Sequence, residues 1–430
     1  MYTPQRLFGE SGSSSDILSH EPFLERARLQ REQERETSAR LALGAYVVAR
    51  LVDKMLVLEN DPEAFEGFRW QLEAVSRHVA DLPGDAPETA HLAGIVTAVS
   101  STGQPTTSLW MNLTAYAYFL EHEARLEESL EMLNLAVRSQ GAGTPPADYA
   151  AYALFAGRLN RMLARWELAS ACYGAAEEAA SEIGDCLIVL RGRLGRGAVL
   201  RGQGNYPAAR AAAESVVREA TEHNLPDAQA LAFADLGVIY SLQGLQLDAL
   251  EAKYQAFQLS TDGVQRMRAL GDLALGLSEI GAHSAARIAF QIVVESNASV
   301  LVRANALLEL MDLESSAGNR VAFERFRTAA EETNSRMSPS MSVDYQYKVG
   351  IGLARFGQHV RAKAALAVGL QLAERHKLNG WYFKLEQAVG ELDARPEQQS
   401  APREASELCQ APSVREMEVG LREYALASAD

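Results

Sequence analysis

Apolar residues recur three or four apart through most of the chain, the spacing of one face of an α-helix. Leu41, Ala45, Val48, Val52 and Met55 draw one such stripe. Arg50, Asp53 and Lys54 interrupt the same stretch, which argues against a membrane span. Ahead of it, Glu21 to Arg40 is dense in Arg and Glu and reads as a solvated helix laced with i,i+4 ion pairs. Asp61-Pro62 ends the apolar helix and starts another, about Glu63 to Ala80. Pro83-Gly84 and Pro87 break that one, and a short helix over Thr89 to Val99 follows. Residues 1–20 hold Gly9, Gly12, Ser13, Ser14 and Ser15 without periodicity and read as a disordered lead-in. Residues 21–107 then form an N-terminal helical region, a cap or degenerate repeats.

From 108 the chain is self-similar. Ala117, Gly157, Gly197, Gly237, Ala274, Met311 and Gly350 stand in one register, Met311 being the exception to a small residue there. Twelve residues after each come Ser129, Ala169, Ala209, Ala249, Ala286, Phe323 and Ala362. Seven further on come Ala136, Ala176, Val216, Ala256, Val293, Ala330 and Gly369. The steps are 40, 40, 40, 37, 37 and 39 residues. Five residues before each middle position stands a turn residue: Ala124, Ala164, Gly204, Gly244, Gly281, Gly318 and Gly357. Small residues let paired antiparallel helices approach closely, and Gly supplies the positive φ that ends the first helix of a pair. Phe323 and Met311 predict looser packing in the 304–336 unit.

This pattern resembles the tetratricopeptide (TPR) family. Gly237 through Tyr240 with Gly244, Ala249 and Ala256 carry the resemblance, as do Gly157, Trp166, Ala169, Tyr173 and Ala176, and Gly204-Asn205-Tyr206 with Ala209. Their long spacing is similar to repeats of bacterial signalling and transcription regulators of the MalT type. The resemblance implies an all-α, right-handed solenoid of about seven helix pairs over 108–392, closed by a last helix with Trp381, Phe383, Leu385, Ala388, Val389 and Leu392. It implies binding of another protein or peptide in a concave groove lined by the first helix of each pair. Residues 393–413, with Pro396, Pro402 and Pro412, read as a linker. Residues 414–430 read as a C-terminal helix striped by Val414, Met417, Leu421 and Tyr424. Docking back on the solenoid, fraying, and binding a partner or second copy are its three readings.

Composition narrows the function. The chain has 430 residues and a formal charge of −15, which argues against a general nucleic-acid binder. Its 70 Ala favour helices. Arg outnumbers Lys 35 to 6, which together with the Ala content fits a high-GC bacterial source. Cys172, Cys186 and Cys409 form no C-x-x-C pair, and no leader pattern opens the chain, so a cytoplasmic protein is expected. No phosphate-binding loop or nucleophile elbow occurs. The glycines at 192, 195, 197, 202 and 204 lack dinucleotide-binding spacing. No two of the eight His stand at i,i+4, and His122 between Glu121 and Glu123 shares a helix face with neither. No catalytic residue, metal or cofactor is expected, and the chain reads as a non-enzyme.

One stretch stands apart. Residues 151–210 carry eight Arg against five acids. Counted from Gly157 and Gly197, Arg158, Arg161, Arg191 and Arg201 fall on the groove side of their helices. Guanidinium forks suit carboxylates. The expectation is a peptide-binding site for an acidic partner on these four residues, against a plain reading as surface ion pairs with neighbours including Asp235. The chain thus reads as a protein- or peptide-binding scaffold in bacterial signalling or regulation. The alternatives are a peptide or small-molecule sensor that changes solenoid curvature, a homodimeric scaffold, and an enzyme with an unrecognised site.

Overall fold

The computed structural model describes residues 7, 19–32, 35–58, 62–102, 107–140, 144–333, 337–394 and 407–427. Among these residues there are twenty α-helices and no strand. The chain divides into two compact units, Met1–Asn205 and Tyr206–Asp430.

The first unit holds α1 (Glu21–Glu32), α2 (Glu36–Leu56), α3 (Pro62–Ala80), α4 (Pro87–Thr102), α5 (Thr107–His122), α6 (Leu126–Gln140), α7 (Pro146–Met162), α8 (Trp166–Glu182) and α9 (Cys186–Gly202). The second holds α10 (Tyr206–Glu222), α11 (Pro226–Leu242), α12 (Gln246–Leu259), α13 (Gly263–Glu279), α14 (His283–Glu295), α15 (Val300–Ser316), α16 (Arg320–Glu332), α17 (Pro339–Arg355), α18 (His359–Arg375), α19 (Asn379–Ala394) and α20 (Pro412–Ala427). Successive helices pair as antiparallel hairpins within each unit. Pro at the first turn opens α7, α11 and α17, where its missing N–H removes no helical bond. Asp185, Asp262, Ser299, Asn319 and Ser338 cap later helices through their side chains.

The small-residue register is the contact register. Ala274 and Ala286 are fully buried, and a Cβ on Gly237 would stand 3.3 Å from the Ala249 carbonyl. Ser129 donates from Oγ to the Ala117 carbonyl at 2.7 Å. All seven turn residues have positive φ, from 56° at Ala164 to 83° at Gly281. From α7 to α17 each first helix of a pair has 17 residues. The second helix has 17 where the step is 40 residues, and 14 or 13 where the step is 37. Between the 40- and 37-residue steps the length variation therefore lies in the second helix, whereas α16 keeps 13 residues in the 39-residue step, whose extra length lies outside it.

Four expectations are modified. Met311 and Phe323 are both fully buried, so the 304–336 unit is not left loose. The Phe323 ring is accommodated by Gly352 of the following pair, where an added Cβ would lie 2.3 Å from it. Glu21 to Arg40 is not one solvated helix: α1 ends at Glu32, and Phe23, Ala27 and Gln30 are buried. Most of residues 1–20 lies outside the described residues, but Leu7 and His20 are buried, and the Leu7 carbonyl accepts from Cys172 Sγ at 3.1 Å. In the last helix, Leu385 and Ala388 pack inward while Phe383 is exposed.

The C-terminal helix takes the docked reading. Val414, Met417 and Leu421 are buried against α12 and α14. Tyr424 meets Phe257 edge-on at 5.1 Å, and Ser284 donates to Glu418 at 2.9 Å. The linker's residues 395–406 lie outside the described residues.

Candidate functional site

Arg158 stands near the end of α7, one residue past the contact glycine Gly157, and so on the side turned from the partner helix. Its guanidinium lies 4.9 Å from the Phe155 ring centroid and 5.8 Å from that of Tyr118 on α5. Those two rings stack at 4.2 Å. Nη2 of Arg158 donates to Glu121 at 2.7 Å. Half-exposed pairs of this kind contribute at most about 1 kcal/mol, because water screens them. Arg161 is one turn further along the same face. The Nε donors of Arg158 and Arg161 are both buried and have no acceptor among the described residues. A buried donor left unmatched is costly, so a ligand oxygen that met it once the side chain turned outward would be held firmly. Exposed Tyr118 and Met162 extend this face with apolar surface.

Arg191 lies in the second turn of α9 and Arg201 in its last. Ten residues of helix separate them by about 15 Å along the axis. Arg191 is exposed and Arg201 half-buried. The four arginines thus divide into one close pair on α7 and two spread positions on α9. Arg165 and Arg196 are taken up by Glu127 and Glu177, at 2.6 and 2.7 Å.

A second charged face went unread in the sequence. In the second unit, Lys348 of α17 donates to Glu309 of α15 at 2.5 Å and to Asp344 at 2.9 Å. Burial alone would lower the Lys348 pKa, but the two carboxylates raise it above the ordinary lysine value, so the ammonium stays charged. Arg355 donates to Asp312 at 2.6 Å and to Ser315 at 2.7 Å. Lys384 of α19 lies over the rings of Tyr347 and Trp381, at 4.2 and 4.5 Å. The members lie far apart in the chain, and each alone reads as a solvated charge. The available signal was Lys348 itself, one of six Lys, two residues before the contact glycine Gly350 and four after Asp344.

A third network joins the start of the first unit. His20 Nδ1 lies 2.8 Å from Glu131, and its Nε2 3.6 Å from Asp53. Arg138 reaches the same Asp53 at 2.5 Å. Burial works to lower the His20 pKa, but hydrogen bonding and the two carboxylate charges raise it overall. Burial pushes the Cys172 thiol up to about 12, so it is a core residue rather than a nucleophile.

Together these features define an all-α helical-repeat protein. No helix among the described residues is long and apolar enough to cross a membrane. No known family model matches the sequence, and no curated protein matches it. Among solved structures, the chain is similar to the apo form of RapI, at 9% identity and a TM-score of 0.41, over 62% of this chain and 98% of that one. It is also similar to a Rap protein complexed with competence and sporulation factor, at 8% identity and a TM-score of 0.44, over 85% of this chain and 99% of that one.

Proposed function

We propose that the chain is a non-catalytic binding protein of the tetratricopeptide type that holds a protein or peptide segment on the face formed by α5, α7 and α9. The observation that carries this reading is the pair of buried, unmatched Nε donors on Arg158 and Arg161 beside exposed Tyr118. That combination favours a carboxylate flanked by an apolar side chain. Arg191 and Arg201 are read as outer contacts for the same acidic segment. The repeat type is supported by the positive-φ turns and the small-residue contacts between paired helices. A setting in bacterial regulation, inside the cell, fits the long repeat spacing.

Affinity capture from the native organism, read by mass spectrometry, tests the reading. The wild-type chain should enrich one partner that Arg158→Glu with Arg191→Glu loses, while circular dichroism shows an unchanged helical content. Equal capture by both chains would end the proposal.

A further inference from the structure

We propose that the face formed by α5, α7 and α9 receives the outer side of α20 from a second copy of this chain, so that the protein associates with itself. The proposal rests on the reading of that face as a surface for an acidic segment, and it names the segment.

The giving surface is fixed by how α20 is seated. Val414, Met417 and Leu421 are buried and set which side of the helix meets its own chain. Gly420 holds it there, since an added Cβ would stand 2.3 Å from the Tyr254 hydroxyl. The opposite side carries Glu416, Val419, Glu423 and Leu426, all exposed. Steps of three, four and three residues place the four on one stripe. Acidic and apolar side chains alternate along it, and each kind recurs after seven residues. Val419 is 55% exposed and Leu426 73%, so the stripe shows water two large aliphatic groups. Neither Glu416 nor Glu423 pairs with another described residue.

The receiving face is graded in the complementary sense. On α5 it shows Met111 and Tyr118, both exposed and themselves seven residues apart. On α7 it shows Arg158 beside exposed Met162. On α9 it shows Arg191, which is exposed and has no partner among the described residues. The Arg158 fork spends only Nη2, on Glu121, among the described residues. The face therefore passes from apolar at α5 to cationic at α9.

Spacing gives the fit a direction. Packed helices lie about 8–10 Å apart, and residues seven apart on a helix rise about 10.5 Å. A helix laid across the face thus meets one first helix after another about every seven residues. With Leu426 on Tyr118 of α5, Glu423 falls beside Arg158, Val419 on Met162 of α7, and Glu416 within reach of Arg191 on α9. The reverse direction would set Glu416 on the uncharged side and Leu426 on the cationic one. Giver and receiver are different surfaces, so each copy can give one helix and receive another.

Sedimentation velocity of the full chain across the micromolar range tests this. The average mass of the wild type should rise with concentration. Glu423→Arg and Arg158→Glu should each weaken association about tenfold, the loss of one charge-assisted contact. Both changes in one chain should restore the affinity to within about threefold of wild type, because the pair is re-formed with its charges exchanged. Glu386→Arg, the same change of charge at an exposed position of α19, should leave the mass curve unmoved. Circular dichroism should show equal helical content in all four variants. A wild type that stays monomeric would overturn the proposal, as would association indifferent to Glu423→Arg or a double variant without recovery. If the wild type is monomeric while partner capture still depends on Arg158 and Arg191, the face keeps its role with a different occupant and only α20 is excluded. If capture is indifferent to those arginines as well, the reading of the face falls with it.

Discussion

In α7 the side chain of Arg158 is 42% exposed and meets one carboxylate, whereas in α17 that of Lys348 is 10% exposed and meets two. The repeat register makes these faces comparable. Arg158 and Asp312 each follow their contact residue by one position, and Arg191 and Asp344 each precede theirs by six. The first unit places a cation where the second places an anion, and the second then closes that anion into a buried ion pair. Among the described residues, Arg158 and Arg161 of the first unit leave their buried Nε donors without acceptors. The same helix face can hold its neighbours together or keep capacity for something else, according to how many opposite charges the next helix brings.

The largest expected effect breaks that contrast. Lys348→Met leaves Glu309 and Asp344 without their cation and should cost about 3 kcal/mol, the scale for breaking a buried pair. Arg158→Met should cost no more than about 1 kcal/mol. Urea unfolding midpoints of the two variants decide it, and equal losses would show that the faces do not differ.

A second test uses pH. His20 has a raised pKa in the folded chain, so its share of stability is complete below the unfolded value of 6.5 and fades as pH rises through the folded value. Hydrogen exchange in α1 and α2 should therefore quicken as pH rises above 6.5, once the intrinsic rate is divided out. Exchange in α15 and α17, tied by a lysine, should not. His20→Gln should remove the difference.

The smallest effect concerns turns. The first two repeats turn through Ala124 and Ala164 at φ of 59° and 56°, while later repeats use Gly. A side chain in the left-handed region costs about 1–2 kcal/mol, against which Gly's extra chain entropy offsets part. Ala124→Gly should raise stability by about 0.5–1 kcal/mol. Gly318→Ala, whose added Cβ meets nothing within 4 Å, should lower it by about the same amount through backbone strain alone. Thermal melts of the two variants should move in opposite directions.

The repeating helices were legible because close packing demands small side chains at fixed intervals, and Ala and Gly mark those points in the sequence. The turns were legible for the same reason, down to the two alanines held at positive φ. The docking of α20 was not, since one apolar stripe serves a core contact and a partner equally well. The Arg158–Arg161 face could be nominated from spacing, but its stacking on Tyr118 and Phe155 depends on a neighbour some forty residues away. The Lys348 network stayed hidden because nothing in a single helix says that a charge will be buried. His20 was missed outright, as it closes a segment whose composition reads as unstructured.

The 17-residue first helix has a consequence for how such a chain can change over generations. Adding or deleting one residue within it would rotate every later side chain by about 100° and turn the outward face into the core. The second helix absorbs a difference of a whole turn with the next first helix keeping its length. Insertions and deletions should therefore survive near the ends of α12, α14 and α16 and be purged from α11, α13 and α15. A ligand-facing surface built on the intolerant helices can vary by substitution alone, one side chain at a time.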